Sequence, residues 1–467
     1  YVHAGELLWP GELVLPPGGS YKTPPVLGVH GVGLLEASRA FHRHLRDRPQ
    51  HPRSPRKVLV NTWEAVYFDH DRATLFRLAE AAARVGAERF VLDDGWFVGR
   101  RHDRAGLGDW EVDETVHPGG LAPLIDHVHS LGMDFGLWVE PEMVSPDSDL
   151  YRTHPGWVLH DDRYPPVLAR QQLVLDLARD EVRTHLLARL DALLSENDIA
   201  YLKWDMNRDL VQGTHEGRAG THAQTTAVYA LLDELRTRHP GVEIESCASG
   251  GGRIDLGILA RADRVWASDC NDALERQRIQ RGMSLLVPPE LMGSHIGPRR
   301  AHTTGRQHPL AFRAATAMFG HLGIEWSLLE ASDAELEGLA ALVTLHKQLR
   351  PLLHAGDVLR VDTPEPALLV HGVASPERDE AVVAAVALDT FAAAVPPALR
   401  IPGLAPERPY AVAHLSLARE ALGLQRQLPA WLPTGVTLTG RQLAAHGVAL
   451  PVLSPASAIL VRVTASD

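Results

Sequence analysis

Cysteine is nearly absent from this chain: 467 residues hold two, Cys247 and Cys270. Two thiols exclude a disulfide framework and a cysteine-built zinc cluster. Such sparing use fits a reducing compartment, and a cytoplasmic location is expected. A basic excess is missing too. Lys and Arg total 46 against 58 Asp and Glu, a formal charge of −12. No basic stripe marks a nucleic-acid surface, so a neutral partner is expected instead. The one locally basic stretch, with Arg39, Arg43, Arg46 and Arg48, reads as the solvated face of a helix. No apolar run approaches the ~18 residues that cross a bilayer, so no membrane partner is expected. No signal-peptide pattern is visible either. The sequence opens at Tyr1 without an initiator methionine, and a fragment lacking its natural N-terminus is the expectation.

What is present is alternation. Strand-like runs at Lys57–Asn61, Arg89–Leu92, Met133–Val139, Ala200–Trp204, Val242–Ser246 and Arg264–Ala267 are separated by helical patterns. Those helices are expected at Arg72–Val85, Leu121–Leu131, Val182–Leu194, Ala223–Arg238 and Ile254–Ala260, with Gly and Pro at the changes. Leu291–Ser294 and Leu322–Trp326 are the candidates for two last strands. Repeated strand–helix units predict a parallel sheet, and this many predict a closed (β/α)8 barrel of roughly 250 residues or more. After about residue 355 short alternating runs between Pro, Gly and Asp predict an antiparallel β-sandwich. Residues 1–35, with Pro16-Pro17-Gly18-Gly19 and Pro24-Pro25 between short β-like runs, look like the tail of another β domain. The expected divisions are 1–52 (remnant of an N-terminal β-sandwich and a linker helix), 53–352 (barrel) and 353–467 (C-terminal β-sandwich).

The strand ends carry the chemistry. They read Asp93-Asp94-Gly95-Trp96, Trp138-Val139-Glu140-Pro141-Glu142, Lys203-Trp204-Asp205, Glu245-Ser246-Cys247 and Ser268-Asp269-Cys270-Asn271-Asp272. Core strands have no packing reason to end in charge, because unpaired charges are costly to bury. In a parallel barrel the C-terminal strand ends are where chemistry is done. Carboxylates bind sugar hydroxyls, and tryptophan faces such as Trp138 and Trp204 pack on the C–H face of a pyranose. Two carboxylates across a cleft can also cleave a glycosidic bond. Lys203 either neutralises a neighbouring carboxylate or favours the ionised form of Asp205, and both can hold together.

Plainer readings stand beside these. Asp93-Asp94-Gly95 alone reads as a turn, and the two cysteines as small packing residues. Gly250–Gly252 before Arg253 lacks the continuation of a phosphate loop and reads as a tight strand-to-helix turn. His42-x-His44 and His127-x-His129 have metal-ligand spacing but fall in helical segments. Magnesium on Asp94, Glu140 and Asp205 is the stronger metal reading, and Lys203 would compete with it for a carboxylate. No metal and no cofactor is expected.

Taken in order, these motifs resemble glycoside hydrolase family 36, the bacterial retaining α-galactosidases. The matching stretches are Leu92–Trp96, Gly136–Val144, Arg170–Asp176, Lys203–Arg208, Glu245–Arg253, Ser268–Asp272, Met292–His295 and Thr303–Arg306. The resemblance implies Asp205 as nucleophile and Asp269 as general acid/base. It also implies that Asp93, Asp94, Trp138, Arg170, Lys203, Asn207 and Cys247 bind a terminal galactose of melibiose- or raffinose-type substrates. Members carry a large N-terminal β-sandwich, and many are homo-tetramers. Cys270 and Asn271 depart from the family's usual Asp or Asn, then Thr, so contacts on the leaving-group side are expected to differ. An α-N-acetylgalactosaminidase, a raffinose-synthase-like galactosyltransferase and an inactive sugar-binding relic are the alternatives.

Overall fold

A computed structural model describes residues 1–417, 423–425 and 427–466. The expected span 353–467 therefore includes residues that lie outside the described ones. Eight strands form a closed barrel: β1 (Leu59–Asn61), β2 (Arg89–Leu92), β3 (Asp134–Val139), β4 (Tyr201–Trp204), β5 (Glu243–Ser246), β6 (Arg264–Trp266), β7 (Met292–Ile296) and β8 (His321–Ile324). Neighbours follow chain order around the ring, β1-β8-β7-β6-β5-β4-β3-β2. All eight expected strands are there, with ends displaced by at most two residues. The chain divides into two compact units.

The first unit is Tyr1–His30, Asn61–Glu80 and Arg89–Trp266. Its parallel pairings place Trp138 level with Lys203, and Lys203 level with Glu245. Glu245 anchors a buried polar layer with Tyr201, one step lower on β4. The Tyr201 hydroxyl donates to Glu245, Arg264 Nε sits 2.8 Å from Glu245 Oε2, and Arg89 lies 4.5 Å over the Tyr201 ring. Arg89 also pairs with Glu243 at 2.8 Å. Removing one side of a buried ion pair costs far more than the pair itself contributes. Glu245→Ala is therefore expected to lower stability by about 3–5 kcal/mol, read from the shift of a urea unfolding midpoint. A loss within the error of the wild-type curve would refute this account.

Residues 1–33 contain no strand, contrary to the β-like reading of that segment. An extended segment makes a strand only where another backbone completes its ladder. Here side chains fix it instead: His222 Nδ1 lies 2.5 Å from Glu6, and the His222 backbone N–H donates to Glu12 at 2.6 Å.

The second unit is Gly31–Val60, Ala81–Glu88 and Ala267–Asp467. Its C-terminal part is a six-stranded antiparallel sheet of β9 (Asp357–Val361), β10 (Leu368–Ala374), β11 (Glu380–Ala387), β12 (Pro409–Leu415), β13 (Val436–Thr439) and β14 (Ser457–Ala465). The order is β9-β10-β11-β14-β12-β13. One apolar core joins Val383, Ala385, Val461 and Val463 of this sheet to Leu399, Ile401, Trp431, Leu443 and Val448.

The basic helix Leu34–Asp47 is only partly solvated along its arginine face, where Arg43 is exposed and Arg39 and Arg46 are half-buried. Arg46 forms a two-pronged pair with Glu290 (2.6 and 2.9 Å), Arg43 reaches Asp357, and Arg39 donates to the Val358 carbonyl. These partners are hundreds of residues away in sequence, so no local charge pattern reveals them.

Candidate active site

The first unit gathers the polar strand ends into two bonded networks, one around Asp93 and Asp94 and one around Asp205 and Glu140. Asp93, just past β2, is buried, and its Oδ2 accepts from both Lys203 Nζ and Asn61 Nδ2 at 2.7 Å. Its Oδ1 accepts the Asp94 backbone N–H. Asp94 is gripped by both arms of the Arg100 guanidinium at 2.9 and 2.8 Å. Burial pushes the Asp94 carboxyl up, and Arg100 opposes that push.

Asp205, one residue past β4, is 6% exposed. Its Oδ2 accepts from Asn207 Nδ2 at 2.7 Å and from the Trp138 indole at 3.2 Å, while Oδ1 accepts the Met206 N–H at 2.8 Å. Three fixed donors set the direction of its lone pairs. Trp138 is itself fixed, because its carbonyl accepts the Trp96 indole N–H at 2.8 Å.

Glu140 is fully buried at the end of β3. Its Oε1 accepts the Asn207 backbone N–H at 2.5 Å and the Gln172 amide at 2.7 Å. Burial, then the charge of Asp205, push its carboxyl up to about 8. Asn207 completes a further link, accepting the Ser249 hydroxyl at 3.2 Å.

The turn after β5 is the tight one expected. Its Ala248 and Gly252 are joined by a 3.0 Å backbone bond, and a Cβ on Gly252 would meet the Ala248 carbonyl oxygen at 2.6 Å. Cys247 is buried at the mouth of that turn, its N–H on the Trp204 carbonyl.

Two expected site residues have side chains outside these bonded networks. Successive strand residues face opposite ways, so Trp204 points away from Lys203 and Asp205. Its indole, 1% exposed, donates to Glu142, which also pairs with Arg253 at 2.7 Å. Arg170 sits at the exposed tip of a two-residue hairpin whose Ala169 and Gln172 exchange backbone bonds. Arg170 and Gln171 both have left-handed φ, 51° and 62°. Arg208 braces this hairpin, donating to the Val167 and Gln172 carbonyls at 2.8 Å.

In the second unit Asp269 is exposed on a bend following β6. Its neighbours are engaged: Cys270 Sγ meets the Thr303 hydroxyl at 3.2 Å, and Asn271 donates to Glu325 at 3.1 Å. Asp272 caps the helix Ala273–Met283 and receives Arg306 and His308 at 3.0 and 2.9 Å. Asp272 is thus an anchor for residues 304–308.

Arg100, Gln172 and Ser249 join the site without being among the expected residues, and Glu140 was expected there only as a metal ligand. Gln172 and Glu140 both fall inside the motifs quoted above, and that was their available signal. Arg100 and Ser249 are single polar residues in loops and carry none. Among the described residues no three His, Cys, Asp or Glu are grouped to hold a metal ion. His42 bonds the Ser284 carbonyl and His127 stacks on Phe76.

The family model described as Melibiase matches residues 20–356. The chain belongs to the melibiase family. A second match, the glycosyl hydrolase family 36 C-terminal domain, covers residues 368–463 of this melibiase-family chain. The chain is 48% identical to an alpha-galactosidase of Escherichia coli, over 99% of this chain and 66% of that relative. It is 37% identical to alpha-galactosidase Mel36A of Lactobacillus acidophilus, over 85% of this chain and 56% of the relative. A variant of the Geobacillus stearothermophilus family 36 alpha-galactosidase AgaA, solved in complex with raffinose, superposes with a TM-score of 0.85 at 34% identity. That match covers 93% of this chain and 59% of AgaA. The melibiase-family chain thus spans between about half and two thirds of the relatives' lengths. Among its described residues no helix is long and apolar enough to cross a membrane.

Proposed function

We propose that this protein hydrolyses terminal, non-reducing α-D-galactose from melibiose- and raffinose-type oligosaccharides with retention of configuration. The observation that carries the reading is Asp205: a buried carboxylate aimed by three donors, with Asp93, Lys203 and the Asp94–Arg100 pair bonded nearby. Asp205 attacks the anomeric carbon while Asp269 protonates the departing glycosidic oxygen, giving a covalent galactosyl-enzyme. Asp269 then takes a proton from water, whose oxygen displaces Asp205 and releases α-galactose. Family membership supports Asp269 in this role, and its exposed bend suits a group that must exchange protons with water.

Asp93, Asp94, Trp138, Arg170, Lys203, Asn207 and Cys247 form the proposed galactose subsite. Trp204 is assigned a supporting role behind it, through Glu142. We place catalysis in residues 53–352, with a C-terminal domain from residue 353. A homo-tetramer of the complete protein and a cytoplasmic location complete the reading, the latter supported by two cysteines that form no disulfide. No metal or cofactor enters the mechanism.

The test is release of nitrophenol from aryl α-glycosides. Buried partners for the axial 4-hydroxyl are expected to favour the α-galactoside over the α-glucoside by about 10⁴-fold. Comparable turnover of both would overturn the galactose assignment. Preference for the 2-acetamido analogue would move the reading to an α-N-acetylgalactosaminidase. Transfer to sucrose in preference to water would move it to a galactosyltransferase.

A further inference from the structure

We propose that Glu140 is a positioning residue that works as an uncharged carboxylic acid, locking the nucleophile's partner Asn207 and the Arg170 hairpin into one rigid unit. The inference rests on the reading of Asp205 as nucleophile given above.

The geometry has three parts. First, Glu140 Oε1 holds two donors from different segments. One is the backbone N–H of Asn207, whose side chain in turn orients Asp205 Oδ2. The other is the side chain of Gln172, which closes the hairpin carrying Arg170. A single oxygen therefore joins the end of β3, the end of β4 and the hairpin. Second, Glu140 Oε2 is buried with no hydrogen-bond partner. An ionised carboxylate with a bare buried oxygen is far costlier than a neutral acid with one unspent O–H. Third, the charged groups facing Glu140 are Asp205, past β4, and Arg100, in the loop after β2. Arg100 is already committed to Asp94 in a two-pronged pair. The remaining charge, Asp205, opposes a second negative charge beside it.

All three point to a proton on Oε2, leaving Oε1 as a carbonyl-like acceptor for its two N–H groups. The elevated value of about 8, caused first by burial and then by Asp205, agrees with this. A carboxyl that is neutral when folded and ionised when unfolded stabilises the fold fully below the ordinary glutamate range. The stabilisation is lost as pH rises towards about 8.

The experiment compares the whole protein with Glu140→Gln and Glu140→Ala. Infrared difference spectra of wild type minus Glu140→Gln are expected to contain the carbonyl stretch of a protonated carboxylic acid at pH 6.5, fading as pH passes about 8. Glu140→Gln, which keeps the accepting oxygen and stays neutral, should flatten the fall in thermal stability that the wild type shows from pH 6 to 9. In kinetics, Glu140→Ala should lose about 10²-fold in kcat, the scale of a misplacement near 1 Å. The glutamine variant should recover most of that loss. An absent acid band at pH 6.5, or a glutamine variant as damaged as the alanine one, would overturn the proposal. If the wild type shows the band but turns over no α-galactoside, the functional reading fails while the neutral acid stands.

Discussion

Asp205→Gly is expected to lose turnover of an activated aryl α-galactoside by roughly 10⁴-fold or more, and added azide is expected to restore it. The reason lies in what surrounds the deleted carboxylate. Trp138, Asn207 and the Met206 N–H remain as three donors around a small vacated volume. Such a pocket accepts a compact anion. Azide would attack the anomeric carbon from the side Asp205 uses, the nitrophenolate would leave, and one inversion would yield β-galactosyl azide. Nothing in the variant then removes the sugar by hydrolysis, so that product accumulates and can be identified by NMR. Undiminished activity in the glycine variant would refute the nucleophile assignment, as would an α-configured azide.

Asp94→Ala has the second large effect, and the structure changes its expected character. From the sequence, loss of most activity with an intact fold is the natural expectation, because a strand-end aspartate reads as a ligand to substrate. In the structure Asp94 neutralises the buried Arg100 guanidinium through two short bonds. Deleting it strips a nearly buried cation of its carboxylate, at a cost of about 3–5 kcal/mol. The alanine variant should therefore be both inactive and markedly less stable by calorimetry. Asp94→Ala combined with Arg100→Leu should recover a substantial part of the stability and none of the activity. An Asp94→Ala protein that melts with the wild type would refute the clamp. A double variant that regains turnover would refute a role for Asp94 in binding.

The barrel was legible because strand–helix alternation is a local, repeated signal, and Gly or Pro marks its changes. The cluster of Asp93, Asp94, Lys203 and Asp205 was legible for a different reason: charge at the end of an apolar run contradicts packing. Other features needed three dimensions. Composition alone makes Trp204 a sugar-facing ring. The period of two along a strand, with Lys203 and Asp205 on the working face, turns it away. Arg46 and Glu290 meet across 244 positions, and Arg100 finds Asp94 around an irregular loop. Neither pairing leaves a periodic trace. The β-like runs before residue 33 satisfied composition, but strand formation depends on a neighbour that composition does not report.

The hairpin tip at Arg170 and Gln171 has an evolutionary consequence. A turn with two left-handed residues is ordinarily given to Asn and Gly, and each other residue there costs on the order of 1–2 kcal/mol. Arg170→Gly would relax that turn and raise thermal tolerance while discarding the guanidinium proposed to meet the sugar. Selection for heat resistance alone would drift towards glycine, and selection for turnover would hold arginine in place. The tip is thus a site where durability and catalytic fitness pull in opposite directions.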